Sequence, residues 1–452
     1  MKKTCNLVTV LLTVLMLLNL LSGCGSEVSP TGTPQESLLG ENTAAIDSSE
    51  KAALPEDGAP VTIQFWFQGT SREDLDFVQK CISSFNEKYP NITVEATGMS
   101  SVISEQETKL NAGVLSDTYP DVIAIVLAQV GSRGFLGDFE DLQPYINEWS
   151  EKDDLFDSAY EMGKYQGKQV ALGLFPNPQI YTYRKDSFIE AGLDPDNPPG
   201  TWAQLKDAAE KLTKREGHKV IFAGLDVPSI DSSLVFTEPY MRSAGSAVID
   251  EINLKPAFTD DATIEALDFI SELAQLNISI PHDQQKGDER PFMNGMAAIS
   301  NLSLSQINQF KENNPDIELG YFPVLSKDGS TPGTAFCGYQ LVAMSAASKH
   351  KDEAWLLIEH MLSNEVVWDR TETFNQPIVK KSLEEPYINY GDSVLNTAVL
   401  EYVNNGKGKA TVPWISVFNK YVSVAYEEVI NGKKTSEQAL IDAETALLKE
   451  IE

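Results

Sequence analysis

Four histidines and four cysteines are the side chains of this 452-residue chain best suited to hold a metal or attack a carbonyl, and their spacing supports neither. His218, His282, His350 and His360 form no H-E-x-x-H pair. Cys5, Cys24, Cys81 and Cys337 include no C-x-x-C, so no metal site is expected. The G-x-S-x-G elbow, the G-x-x-x-x-G-K-[ST] phosphate loop and a G-x-G-x-x-G after a strand are missing too. Gly406-Lys407-Gly408-Lys409 lies between helical segments and reads as a solvated loop. Acid pairs such as Asp153-Asp154 could suggest a glycosidase, but 66 acidic residues make chance pairs near certain, and the fold alone sets a dyad's separation. No catalytic residue and no cofactor is assigned.

One cysteine does sit in a chemical context. Lys2 and Lys3 precede an apolar run from Leu7 to Leu21, which ends in Leu21-Ser22-Gly23-Cys24. A basic start and an apolar core of about 7–15 residues describe a secretory signal, too short for a span of about 20. The small residues before Cys24 resemble the bacterial lipobox, in which cleavage leaves the cysteine as an acylated N-terminus carrying chains such as palmitate. An ordinary signal peptide or a short anchor helix is the alternative. Each buried CH₂ contributes about 0.8 kcal/mol, so several chains on Cys24 hold a protein at a bilayer without a spanning helix. Residues 1–23 are then the signal, and 24–59 a lipidated linker rich in Ser, Thr, Pro, Gly and acids. Of the remaining thiols, Cys81 falls on the apolar face of an expected helix and Cys337 in an expected strand. Each reads as a small buried hydrophobe, although an exported pair could also bridge.

The body must be larger than one small core, so two lobes are expected. Its 42% hydrophobic and 22% charged residues are those of a folded protein, and the net charge of −31 excludes nucleic acid and other polyanions as partners. VTIQFWF (61–67), ITVEAT (92–97) and DVIAIVLA (121–128) read as strands. Between them lie a helix from Arg72, with Leu75, Val78, Cys81, Ile82 and Phe85 on one face, and a second from about Glu105 to Leu115. That β-α-β-α-β order predicts an α/β fold with a parallel sheet, whose ligands bind beyond the carboxyl ends of the strands. Short strands follow at 169–174 and 180–183 around Phe-Pro-Asn-Pro, then a helix opened by the capping box Thr201-x-x-Gln204. A helix near 262–276, a strand at 335–345, a helix carrying Ala354, Trp355, Ile358, Met361 and Leu362, and two closing helices complete the order, the last opened by Thr435-x-x-Gln438.

Several blocks over about 60–452 resemble the extracellular solute-binding proteins of bacterial ABC sugar importers, the group related to maltose-binding protein. They are SSFNEKYPNITVE (83–95), YPDVIAI (119–125), YTYRKDSFIEAGLDPDNPPGTWAQLKDAAEKLTK (181–214), MNGMAAIS (293–300) and SKHKDEAWLLIEHMLSNE (348–365). The resemblance implies a two-lobe periplasmic-binding-protein-like fold whose hinge is crossed three times and whose ligand cleft lies between the lobes. Carried onto this chain, the crossings fall near Leu172–Pro178, Thr334–Gly338 and Phe374–Ile378. Lobe 1 is then 60–174 plus 337–375, and lobe 2 is 175–335 plus 377–452. It further implies a monomer on the extracellular face of the cell membrane, tethered through Cys24, with a carbohydrate ligand and ABC permease subunits as partners. A binder of a polyamine, glycerol phosphate or metal chelate is the alternative, and an exported glycosidase a more distant one.

Sugars stack their C–H faces on aromatic rings and need fixed partners for their hydroxyls. Trp66 and Gln68 end the first strand, and since strand faces alternate, Trp66 and Phe67 cannot both face a cleft. The resemblance adds Asn177 at the first crossing, where a turn-forming role competes, and Tyr339 on the return crossing. It also adds Trp414 before the penultimate helix, and the aromatic residues Phe236 and Tyr240 are further candidates in the second lobe. Departures from the family pattern are Ala128-Gln129, leaving only Gln129 where a polar pair is common, and Ser303 with Ser305 where a tryptophan is common. Cys337-Gly338 replaces a glycine pair.

Overall fold

The computed structural model describes residues 59–452, apart from 117, 277 and 281–289. The signal, the linker, Cys24 and His282 lie outside the described residues. Among the described residues no helix is long and apolar enough to cross a membrane.

The first strand, Val61–Gln68, pairs in parallel with Ile92–Met99 on one side and Val122–Val126 on the other. The helix between the first two, Arg72–Lys88, starts from a reciprocal cap: the Asp74 amide donates to Ser71 Oγ at 3.1 Å and the Ser71 amide to Asp74 Oδ2 at 3.1 Å. Phe77, Val78, Cys81, Ile82 and Phe85 form its buried stripe, each large side chain contributing about 1.5–3 kcal/mol. Leu75 lies off that stripe and is exposed, contrary to expectation. The helix ends before Pro90, which disfavours helical geometry at Tyr89.

The third strand ends at Val126, two residues early, and a helix, Leu127–Leu136, begins at once. The Val126 amide donates to Gln129 Oε1 at 3.1 Å, turning the chain. An apolar run of strand followed directly by helix has no break for periodicity to detect.

One long strand, Leu172–Arg184, replaces the two short ones expected around Phe-Pro-Asn-Pro. Residues 172–178 pair antiparallel with Ala335–Met344, while 179–183 pair with Ala297–Ser303. Around Pro176 and Pro178 the strand thus has a partner on one side only, so the missing N–H groups break no ladder. Ala335–Met344 also pairs with Val122–Val126, joining everything into a ten-stranded sheet. Beyond Ala297–Ser303 lies Lys219–Leu225, parallel to it.

Helices cover both faces. Trp202–Leu212, with the expected Thr201/Gln204 box, and Asp261–Gln275 pack with the closing pair Ile415–Ile430 and Ser436–Ile451 over one portion. Lys351–Met361 and Asn364–Phe374 back the first strands. Cys81 and Cys337 are free and buried, as small apolar side chains. Burial pushes the Cys81 thiol up to about 12 and raises that of Cys337 further. The Gly-Lys-Gly-Lys segment is not a solvated loop: Gly406–Lys407 pairs with Ala335 and Phe336, and Lys409 is buried beside Glu238 at 3.2 Å.

Candidate functional site

At the carboxyl end of the first strand the chain must turn sharply into its helix. Gly69 makes that turn at φ +123°, and any side chain there would strike the Asp74 carboxyl group. Beside this turn lies a cavity of about 270 Å³, between the strand, the helix Arg72–Lys88, and the two strands that run across the sheet.

Strand alternation directs Phe65 and Phe67 to this cavity and Trp66 to the opposite face. The long strand adds Phe175, the returning strand adds Gln340, and Asn364–Phe374 adds Arg370 and Phe374. Phe77 and Phe374 meet edge to face at 5.3 Å. The half-buried Arg370 guanidinium lies 4.4 Å from the Phe77 ring centre and 4.9 Å from that of Phe175. Burial brings its pKa down to about 10, against the pull of Cys81, Asp74 and Asp369, so it stays cationic at neutral pH. It makes no hydrogen bond or ion pair among the described residues, and neither does the buried Gln340 Nε2. The Asp74 carboxylate, by contrast, is engaged by Ser71, whose Oγ donates to Oδ2 at 2.6 Å.

A second cavity, about 280 Å³, lies where the parallel strands Lys219–Leu225 and Ala297–Ser303 end. Its carboxylates are hydrogen-bonded within the protein. Arg290 Nε donates to Asp226 Oδ2 at 2.9 Å, and Ser300 Oγ donates to the same oxygen at 3.0 Å. Asp231 accepts from the Phe236 and Thr237 amides and from Thr237 Oγ1, while burial raises its pKa. Among the described residues no cluster of three or more His, Cys, Asp or Glu could hold a metal.

The nine residues selected from the sequence do not converge on one cavity. Gln68 lines the first, its Nε2 3.5 Å from the Ser101 carbonyl. Trp66 packs on Tyr119, with Lys109 Nζ 4.4 Å above its ring. Gln129 is 1% exposed, and its Nε2 donates to Glu107 at 2.8 Å. Asn177 is exposed in a strand, opposite Gly338, and forms no turn. Ser303 caps the helix Leu304–Asn313. Tyr339 is buried against Gly173, its hydroxyl 2.7 Å from Ser158 Oγ. Phe236 lines the second cavity, and Tyr240 is buried with its hydroxyl 2.6 Å from that of Tyr181. Trp414, expected in an open loop, is only 8% exposed and belongs to the apolar core under the closing helices. Just before it, the Val412 backbone lies so close to Gly131 that any side chain at Gly131 would collide with it.

Sequence reasoning missed Arg370, Phe175, Phe374 and Gln340. The crossings expected near 172–178 and 374–378 do include Phe175 and Phe374. An arginine in an amphipathic helix carries no signal distinguishing a pocket from a solvated face.

Residues 80–391 match the family described as bacterial extracellular solute-binding protein. The chain is 25% identical over 421 residues to the sn-glycerol-3-phosphate-binding periplasmic protein UgpB of Escherichia coli (strain K12), covering 84% of this chain and 90% of that one. It is 22% identical over 358 residues to the multiple sugar-binding protein of Streptococcus mutans, covering 76% and 80%. Among solved structures, the sugar-binding protein MalE of Xanthomonas citri superposes with a TM-score of 0.75 at 19% identity, over 86% of this chain and 98% of that one. The cyclic alpha-maltosyl-1,6-maltose binding protein of Arthrobacter globiformis gives 0.74 at 22%, over the same shares. These likenesses establish the fold as two-lobed α/β, with strands crossing between the lobes.

Proposed function

We propose, since this chain belongs to the family of bacterial extracellular solute-binding proteins, that it captures a carbohydrate and delivers it to the permease of an ABC importer. The cavity beside the crossing strands, which lies on the lobe-1 side with Phe175 and Gln376 at its boundary, supports this reading. Phe67, Phe77, Phe175 and Phe374 offer flat walls for the C–H face of a sugar, and Gln68, Gln340 and Gln376 offer amides for its hydroxyls. Its volume, near the lower end of the roughly 300–1,000 Å³ of small-molecule pockets, favours one sugar ring over a long chain. The protein acts by binding alone, as a monomer, anchored through acylated Cys24 on the outer face of the cell membrane.

The lobes are 60–174 plus 337–375 and 175–335 plus 377–452. In support, the long strand changes partners between Pro178 and Gln179, four residues beyond the first boundary and at the end of the expected crossing 172–178. Gly131 against Val412 is then a contact between lobes, of the kind made when a cleft shuts.

Sequence likeness to a glycerol-phosphate-binding protein favours glycerol phosphate as the second reading. A polyamine fits poorly beside the Arg370 cation. A thermal-shift screen with mono-, di- and oligosaccharides, polyamines and glycerol phosphate decides: a bound ligand at a hundredfold excess over Kd adds about 2.7 kcal/mol. A shift with glycerol phosphate and none with any saccharide would overturn the carbohydrate reading.

A further inference from the structure

The polar groups of the cavity are unevenly matched. Arg370 presents a guanidinium with five N–H donors and Gln340 a buried amide nitrogen, and neither has a hydrogen-bond partner among the described residues. The nearby carboxylate, Asp74, is already engaged by Ser71. The Arg370 fork and the Gln340 amide nitrogen, which share the cavity with the Asp74 carboxylate, offer unused N–H donors complementary to a ligand rich in acceptor oxygens, a carboxylate above all.

We infer that the solute is a sugar acid, a uronate or aldonate whose carboxylate is held by the Arg370 guanidinium, with Gln340 Nε2 donating to the same end of the molecule. The inference rests on the carbohydrate reading above and narrows it. The planar fork of arginine matches a carboxylate in two parallel hydrogen bonds, while the Phe77 and Phe175 rings hold the fork's plane. A phosphate ester fits less well. It carries about −1.5 to −2 at neutral pH, more than one guanidinium balances.

Calorimetric titration of the full-length protein tests this with galacturonate and glucuronate, their methyl esters, the neutral parent sugars, glucose 6-phosphate and sn-glycerol 3-phosphate. One uronate should bind at least about tenfold more tightly than its own ester, which keeps the shape and removes the charge. In Arg370→Gln, checked by its melting curve for folding, that ratio should fall toward one, with Arg370→Lys between. The wild-type comparison of acid with ester stands even if both variants fail to fold. Esters or neutral sugars that bind as well as the acids overturn the inference and leave the carbohydrate reading intact. Preference for the phosphate esters overturns it as well, as does a ratio unchanged in folded Arg370→Gln. Failure of every sugar, acidic or neutral, removes both.

Discussion

The two cavities at the carboxyl ends of the sheet are similar in size and opposite in chemistry. Around Asp226 and Asp231 the charges are spent on the protein: a guanidinium, two hydroxyls and two amides converge on two carboxylates. Around Arg370 the guanidinium lies over two aromatic faces and makes no hydrogen bond among the described residues, although Asp74 shares its cavity. A buried charge whose partners are all internal holds loops together, and its removal is felt by the fold. A cation that makes no hydrogen bond within the protein adds little to stability, and its removal should be felt by whatever it binds.

The contrast is broken or sharpened most strongly by truncating committed groups. Trp414→Ala should cost about 3–5 kcal/mol, the usual result of emptying a buried indole site, measured by denaturant unfolding. A loss of affinity with an unchanged melting point would instead return Trp414 to the ligand. Asp226→Ala, which leaves Arg290 without its carboxylate, should cost a comparable 3 kcal/mol or so. Arg370→Gln should change stability by less than about 1 kcal/mol. Equal costs for Asp226→Ala and Arg370→Gln would erase the distinction between the cavities.

A smaller effect concerns acid. Burial alone would raise the Glu238 pKa, but Lys409 and Arg242 outweigh it and hold the carboxyl below its ordinary value. The unfolded chain therefore takes up this proton first, and the stability contributed by Glu238 is lost as pH falls below about 4.3 through the folded value. Glu238→Gln should flatten the fall of melting temperature on acidification, and a slope identical to wild type would argue against the pairing. Smallest of all, a reductant should leave the melting temperature unchanged, because Cys81 and Cys337 are free. A drop on reduction would reveal a bridge.

The sequence made the elements legible wherever a cap or a period stood alone. Thr201 and Thr435 each open the helix expected of them, and the helix expected from Arg72 by its apolar period begins there. Legibility failed where one element runs into the next without a break, as at Val126-Leu127, and where proline suggested an end, as in the strand through Pro176 and Pro178. The site was harder. Aromatic residues drew attention as platforms, yet Tyr240, Tyr339 and Trp414 are held in the interior by packing that only the tertiary fold reveals. Gln68 was recoverable because the end of a parallel strand is a location that topology alone supplies. Arg370 was not, because its pocket assembles from segments far apart in the chain.

The pairing of Leu172 with Val342 bears on how the protein comes into being. No stretch shorter than that interval can complete the middle of the sheet, so the entropy of closing a very long loop precedes the central contacts. Acquisition of the native state should therefore be slow, with the first three strands and their helices able to collapse early and the centre of the sheet consolidating only once the returning strand arrives. A chain emerging from a translocation channel in sequence order would spend that interval half-built, its apolar strand faces dependent on residues still to come.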